Sequence, residues 1–289
     1  MMRERSNWKL TLAYDGAEFH GWQVQPGRPT IQGALAAAVA AVTGECVLPQ
    51  GSGRTDAGVH ACGQVASLSL EAAIPAENLQ RALNRILPAS IRIRSAERVP
   101  AEFHARHSAI GKIYEYRIFH GRVCPPFLAR YVTCWRWPLD LEAMQQGAEA
   151  ILGEHDFTSF AATDPDRTSR VESEEAKIRS NVRRIEQSQW RRDWLPLSSA
   201  DGLGTLLLGS SAEPTGNRSA DHEAEMFTYT VRGNGFLHHM VRNLVGTFLD
   251  MGRGHVPATE MLRILEGCGR RLAGPTASAN GLCLMQVLY

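Results

Sequence analysis

Apolar and polar positions alternate along residues 8–14: Trp8, Leu10, Leu12 and Tyr14 fall on one side, Lys9, Thr11 and Ala13 on the other. That period of two predicts a half-buried strand. Residues 30–43 follow as an Ala-rich apolar run behind Thr30, a side chain suited to capping a helix. Strands are predicted over 47–51 and 64–70. Residues 75–87 place Leu79, Leu83, Ile86 and Leu87 at helical spacing behind Pro75, and 91–99 alternates again. The first part reads β-α-β-β-α-β, the split βαβ arrangement, which folds as an antiparallel sheet with both helices on one face.

The second part repeats this order with additions. Strands are predicted over 109–119 and 131–137, a helix over 141–152 and a short strand over 156–161. Two long alternating runs cover 181–190 and 223–231, helices cover 237–251 and 257–267, and a last strand covers 282–288. No sequence repeat accompanies the repeated order. The expected fold is α+β: two ferredoxin-like (RRM-like) βαββαβ halves, 1–105 and 106–289, joined into an extended, mostly antiparallel central sheet with helices on one face and a cleft on the other. Residues 156–170 and 194–221 are rich in Ser, Gly, Asp and Pro and read as surface loops or partly disordered segments. Within the predicted strand over 109–119, Lys112, Tyr114 and Tyr116 share a face. The usual fate of a strand tyrosine is burial with its hydroxyl bonded. Within the predicted helix over 237–251, Leu237, Val241, Leu244, Val245 and Phe248 form the buried stripe, which leaves His238, Arg242 and Asn243 off it.

With 289 residues, 44% hydrophobic and 21% charged, the chain can bury a sizeable core. It has no apolar run near the ~18 residues of a membrane span, and its first residues lack an apolar signal segment, so a cytoplasmic protein is expected. Six cysteines without any Cys-x-x-Cys read as free thiols. His238-His239, without an acidic or thiol partner at ligand spacing, gives no expectation of a metal. The net charge of +1 hides an asymmetry. Residues 81–137 hold eleven Lys and Arg against three acids, with Phe103, Tyr114, Tyr116, Phe119, Trp135 and Trp137 interleaved, whereas 138–166 hold seven acids and no Lys or Arg. Arginines for phosphate beside aromatic planes for bases suit unpaired nucleotides, although basic strand edges are also common for other reasons.

The densest chemistry lies in Gly51-Ser52-Gly53-Arg54-Thr55-Asp56-Ala57-Gly58-Val59-His60-Ala61-Cys62-Gly63. Four glycines in thirteen residues make a poor helix or strand interior and let another molecule approach closely. An aspartate offered there suits attack or proton acceptance rather than acid donation. The same residues also fit a tight turn with an ordinary surface ion pair between Arg54 and Asp56.

From Gly53 to His60 the string resembles, without a break, the active-site loop Gly-Arg-Thr-Asp-x-Gly-Val-His of the tRNA pseudouridine synthase A family. Ala13-Tyr14-Asp15-Gly16 with Phe19-His20-Gly21-Trp22-Gln23-Val24-Gln25 resembles the family's first strand and the loop leaving it. Phe103-His104-Ala105-Arg106 leading to Tyr114-Glu115-Tyr116, and Phe236-Leu237-His238-His239-Met240-Val241-Arg242-Asn243, resemble two further family segments. Residues 191–222 match nothing in the pattern and read as an insertion.

The resemblance implies an isomerase that needs no cofactor. It breaks the N-glycosidic bond of a uridine, turns the uracil and joins C5 to the same ribose. Asp56 and Arg54 would be catalytic: Asp56 as nucleophile on ribose C1′ or the base, or as the group that starts loss of the C2′ proton, and Arg54 as its partner or as filler of the gap left by an everted base. Tyr114 would stack on the uracil; Arg242, His60 and Thr55 would bind substrate or shape the loop. tRNA would be the partner, with anticodon-arm uridines (positions 38 to 40) as targets, held by a homodimer in the RNA-binding cleft. Two other readings stay open: an RNA-binding module without chemistry, and a nucleoside hydrolase that would recruit Asp15 as its second carboxylate.

Overall fold

The structure, a computed structural model, describes residues 5–162, 181–196 and 223–289. It is a mixed α+β protein with a large, mostly antiparallel, open sheet. The chain divides into two compact units: one holds Met1–Tyr114, Arg232–Gly235 and Leu282–Tyr289, the other Glu115–Val231 and Phe236–Gly281.

The first unit contains β1 (Ser6–Tyr14), α1 (Ile31–Thr43), β2 (Gln50–Gly51), β3 (His60–Leu70), α2 (Ala76–Ile86) and β4 (Ile91–Val99). β1 is central and antiparallel to both neighbours, with Leu10 opposite Ala66 of β3 and Ala96 of β4. Its alternation has the expected outcome: Trp8, Leu10, Leu12 and Tyr14 are all buried. α1 and α2 pack against each other and supply Ile31, Leu35, Val39, Leu79 and Leu83 to the core. Thr30 caps α1 by accepting from the Gly33 amide at 3.3 Å, and Gly44 ends it at φ 77, where a left-handed residue costs glycine little.

The strand predicted over 47–51 shrinks to Gln50–Gly51, paired with Ser67 and Ala66. Pro49 has no amide to give a ladder, and its carbonyl is taken by Gln32 Nε2 at 2.9 Å. β3 correspondingly begins at His60, not 64.

The remaining elements are β5 (Gly111–His120), α3 (Pro126–Ala129), β6 (Thr133–Trp135), α4 (Leu141–Glu149), β7 (Gly153–Asp156), β8 (Val182–Pro196), β9 (Glu223–Gly233), α5 (Met240–Gly252), α6 (Met261–Glu266) and β10 (Leu282–Leu288). β10 belongs to the first unit, running parallel to β3 with Cys283 beside His60 and Leu284 beside Ala61.

In the second unit the strands run β5-β9-β8-β7, with β6 parallel to β5. Asp140 caps α4 by accepting from the Glu142 and Ala143 amides. α4 and α5 cross closely because of two glycines. A Cβ on Gly147 would stand 2.6 Å from Met251 Sδ, and one on Gly252 2.8 Å from Met144 Cγ. Trp190, Tyr229 and Phe248 stack beside them, and Tyr229 shares a 2.8 Å hydrogen bond with Ser188.

Several expectations are corrected here. Residues 156–161 are not a strand: the Asp156 carboxylate accepts from the Thr158 amide at 2.8 Å and its hydroxyl at 2.6 Å, turning the chain into a 3-10 turn, Thr158–Phe160. The helix predicted from 237 starts at Met240 because His239 takes φ 60, a left-handed backbone that no helix continues through. The helix predicted over 257–267 splits into a 3-10 turn and α6. β8 runs on to Pro196, so the first residues of the expected 191–222 insertion are strand. The rest of it, and most of the loop expected over 156–170, lie outside the described residues. Among the described residues no helix is long and apolar enough to cross a membrane.

Candidate active site

The Arg54-Thr55-Asp56 loop is a built object, held from below by three side chains and from the side by the segment leaving β1. Gln64, fully buried on β3, is the hub. Its Oε1 accepts from Ser52 Oγ at 2.7 Å, while its Nε2 donates to the Gly53 carbonyl at 3.1 Å and lies 3.4 Å from the Tyr14 hydroxyl. Tyr14 in turn shares a 2.9 Å hydrogen bond with Thr55 Oγ1. Lys112 Nζ donates to the Ser52 carbonyl at 2.9 Å, and a Cβ on Gly53 would stand 2.4 Å from that ammonium. A side chain on Gly53 would have to displace that ammonium.

The lateral support is backbone. Trp22 N–H donates to the Thr55 carbonyl at 3.0 Å and Gly58 N–H to Phe19 O at 3.2 Å; Val59 N–H closes a turn onto Asp56 O at 3.1 Å, with Gly58 at φ 80 as its third residue. Gly21, at φ 83, lies so close to the loop that a Cβ would fall 2.5 Å from Thr55 O; at Gly16 it would fall 2.0 Å from Val59 O. His60 Nδ1 accepts the Gly16 amide at 3.1 Å, which places the ring proton on Nε2. Asp15 Oδ1, 3.2 Å from the same Nδ1, accepts the Ala17 amide at 3.0 Å. Because Nδ1 offers its lone pair to the amide, the neutral contact is the better description of the Asp15–His60 pair.

This scaffold leaves Arg54 exposed and Asp56 half-buried, with Thr55 and His60 buried beneath them. Tyr114, from the start of β5, is buried in the same unit. Its phenol is pushed well above the ordinary tyrosine value, first by burial and then by the Tyr14 phenol, the Asp56 carboxylate and the Cys283 thiol. At neutral pH the Tyr114 phenol therefore keeps its proton.

In the second unit Arg242 is half-buried on α5, its Nε donating to the Ala277 carbonyl at 2.8 Å. Asn243 does not lie off the buried stripe as its spacing suggested. It is fully buried, donating to Phe160 O at 2.7 Å and accepting from Thr276 Oγ1 at 2.6 Å and Arg270 at 3.1 Å. α5 is covered on more than one side, and a carboxamide satisfied on both ends is an affordable core residue there. Tyr116 is buried with its hydroxyl on Thr133 Oγ1 at 2.5 Å and Ser278 O at 2.8 Å, the core role expected of it.

The tRNA pseudouridine synthase family model matches residues 11–108 and 148–289 of this chain. The chain belongs to this family. It is similar to tRNA pseudouridine synthase A of Solibacter usitatus (strain Ellin6076), 43% identical over 281 residues that cover 97% of this chain and 98% of the relative. The Brevibacillus brevis and Moorella thermoacetica proteins of the same name are 40% and 39% identical, each again covering 97% of this chain and 98% of the relative. The family is one of isomerases, so the chain is an enzyme.

Of the site residues expected in the family, Arg54, Thr55 and Asp56 share one loop, His60 opens the β3 strand that follows it, and Tyr114 lies in the same unit, while Arg242 lies in the other. Sequence reasoning assigned no role to Gln64 or Tyr14 and gave Lys112 only a face of β5. The available signal was a glutamine inside the otherwise small and apolar run Cys62-Gly63-Gln64-Val65-Ala66, a polar residue that burial would have to satisfy.

Proposed function

We propose that this protein isomerises uridine to pseudouridine in the anticodon arm of tRNA, at positions 38 to 40, with Asp56 as the attacking group. The observation that carries the reading is a half-buried Asp56, on a loop held by backbone hydrogen bonds at Ser52, Gly53, Thr55, Gly58 and Val59, together with the buried, protonated phenol of Tyr114 in the same unit. A carboxylate beside an aromatic plane suits a uracil that has left its stack: the ring rests on Tyr114 while the carboxylate meets the base or its ribose. Arg54, exposed next to Asp56, orients the carboxylate or takes the place of the everted base. Arg242 binds the nucleotide, and Thr55 and His60 act by holding the loop. The basic segment over 81–137 supplies phosphate contacts, and a homodimer presents it twice.

A nucleoside hydrolase would need a second carboxylate facing Asp56. Asp15, the residue available for that role, has its Oδ1 accepting the Ala17 amide. The test is tritium release from a tRNA transcript labelled at uridine C5, followed by mapping of pseudouridine in tRNA from cells with and without the protein. Release, with loss of the modification at positions 38 to 40 alone, is expected. Absence of release, or loss at other positions, overturns the reading.

A further inference from the structure

In the second unit, away from the loop of Asp56, three successive residues end β6 and lead toward α4: Trp135, Arg136 and Trp137. Trp137 is 48% exposed, whereas Trp8, Trp22 and Trp190 are buried. It is flanked by two guanidiniums. That of Arg136 lies 4.6 Å from its ring centroid and that of Arg253, from the end of α5, lies 6.0 Å from it and 5.8 Å from the Trp135 ring. Beside the indole opens a shallow hollow of about 500 Å³, lined also by Pro138, Leu139, Asp140, Gly252, Arg253 and His255. The acid is already occupied: Asp140 Oδ1 accepts two amides at the first turn of α4, where the helix dipole absorbs part of its charge.

We infer that this hollow is a second RNA-contact site, in which the exposed face of Trp137 stacks on an unpaired nucleotide of the substrate tRNA while Arg253 and Arg136 meet its phosphates. The inference rests on the tRNA reading given above. Its chemistry is that of single-strand recognition, where an aromatic platform serves any base and adjacent arginines serve the backbone. The space suits one nucleotide: a pocket of this volume lies within the range of small-ligand sites. A partner of another kind would leave part of the site unused. A neutral protein surface would bury two guanidiniums without counter-charge, whereas a polyanion supplies it.

The experiment uses the full chain and an unmodified tRNA transcript, reading Kd by fluorescence anisotropy at several salt concentrations and KM by tritium release. Trp137→Ala should raise Kd and KM about five- to 150-fold, the range for loss of one base stack. Trp137→Phe, which keeps a plane, should change both less than about threefold. Arg253→Ala should weaken binding and lower the slope of log K against log salt by about one. Melting curves of the variants should overlay the wild type, since the indole is half-exposed. Kd and KM within twofold of wild type in Trp137→Ala overturn the site. So does a shift of that variant to a smaller species in sedimentation, which would make the patch a contact between copies of the chain. If wild-type protein binds the transcript but releases no tritium, the isomerase reading falls while the Kd comparison still judges the platform.

Discussion

Replacing Gln64 by leucine would remove the hub of the loop at nearly constant volume, so cavity effects stay small and the loss is one of hydrogen bonds. Four groups are touched: the Val65 amide loses a 3.1 Å acceptor, and three more are affected. Ser52 Oγ loses its 2.7 Å acceptor, the Gly53 carbonyl loses its 3.1 Å donor, and the Tyr14 hydroxyl loses a 3.4 Å contact but keeps Thr55. Gln64 is fully buried and Ser52 nearly so, so water does not replace the missing partners. A buried group left unsatisfied costs about 1 to 3 kcal/mol, and two such groups give roughly 2 to 6 kcal/mol. For a chain of this length that corresponds to a melting temperature lower by roughly 3 to 10 °C. Activity should suffer beyond stability, because the Gly53 carbonyl and Thr55 flank Asp56, and a displacement of about 1 Å of a reacting group can cost on the order of a hundredfold. The assay is thermal melting by circular dichroism alongside tritium release measured well below the melting point. Ser52→Ala, which removes only one partner, should cost about 1 kcal/mol. A Gln64→Leu protein that melts within 1 °C of wild type and turns over at its rate would refute the view that this network sets the loop.

Two further outcomes follow from packing and titration. At Gly246 a Cβ would stand 1.6 Å from the Pro275 carbonyl, so Gly246→Ala should push the Gly274-Pro275-Thr276-Ala277 strap off α5, disturb the Thr276–Asn243 and Ala277–Arg242 bonds, and lower stability by more than about 2 kcal/mol in denaturant melts. The Tyr116 phenol is pushed up to about 12 by burial, with the Thr133 hydroxyl and Arg242 pulling the other way. It binds its proton more tightly folded than unfolded. Its contribution of roughly 2 to 3 kcal/mol is complete below pH 10 and lost as pH rises through 12. Denaturation between pH 9 and 12 should show Tyr116→Phe losing less stability than wild type, and equal losses would contradict this.

Much of the fold was legible because burial on one face writes itself into the chain. The alternation of Trp8, Leu10, Leu12 and Tyr14, the Thr30 cap and the spacing of Leu79 and Leu83 each reappear as structure. The loop carrying Asp56 was legible for the same local reason: its glycines mark close approaches that a Cβ would block. What escaped depends on side-chain hydrogen bonds, some to partners remote in sequence and some local. The shortening of β2 follows from Gln32 capturing the Pro49 carbonyl, and the turn after β7 from Asp156 binding the Thr158 amide and hydroxyl. Periodicity carries no trace of either. Asn243 and Gln64 escaped because a polar side chain is assigned to the surface by default, whereas both are satisfied largely by groups 11 to 83 residues away.

The central claim is that the Asp56 carboxylate performs the chemistry and is not needed to grip the RNA. The direct measurement is single-turnover tritium release from a C5-labelled tRNA transcript by Asp56→Asn, paired with the Kd of the same variant for the same transcript. The amide keeps shape and hydrogen bonding but cannot attack. Release slower by at least about a thousandfold, with Kd within about threefold of wild type, is the predicted result. Release within tenfold of the wild-type rate would contradict the account.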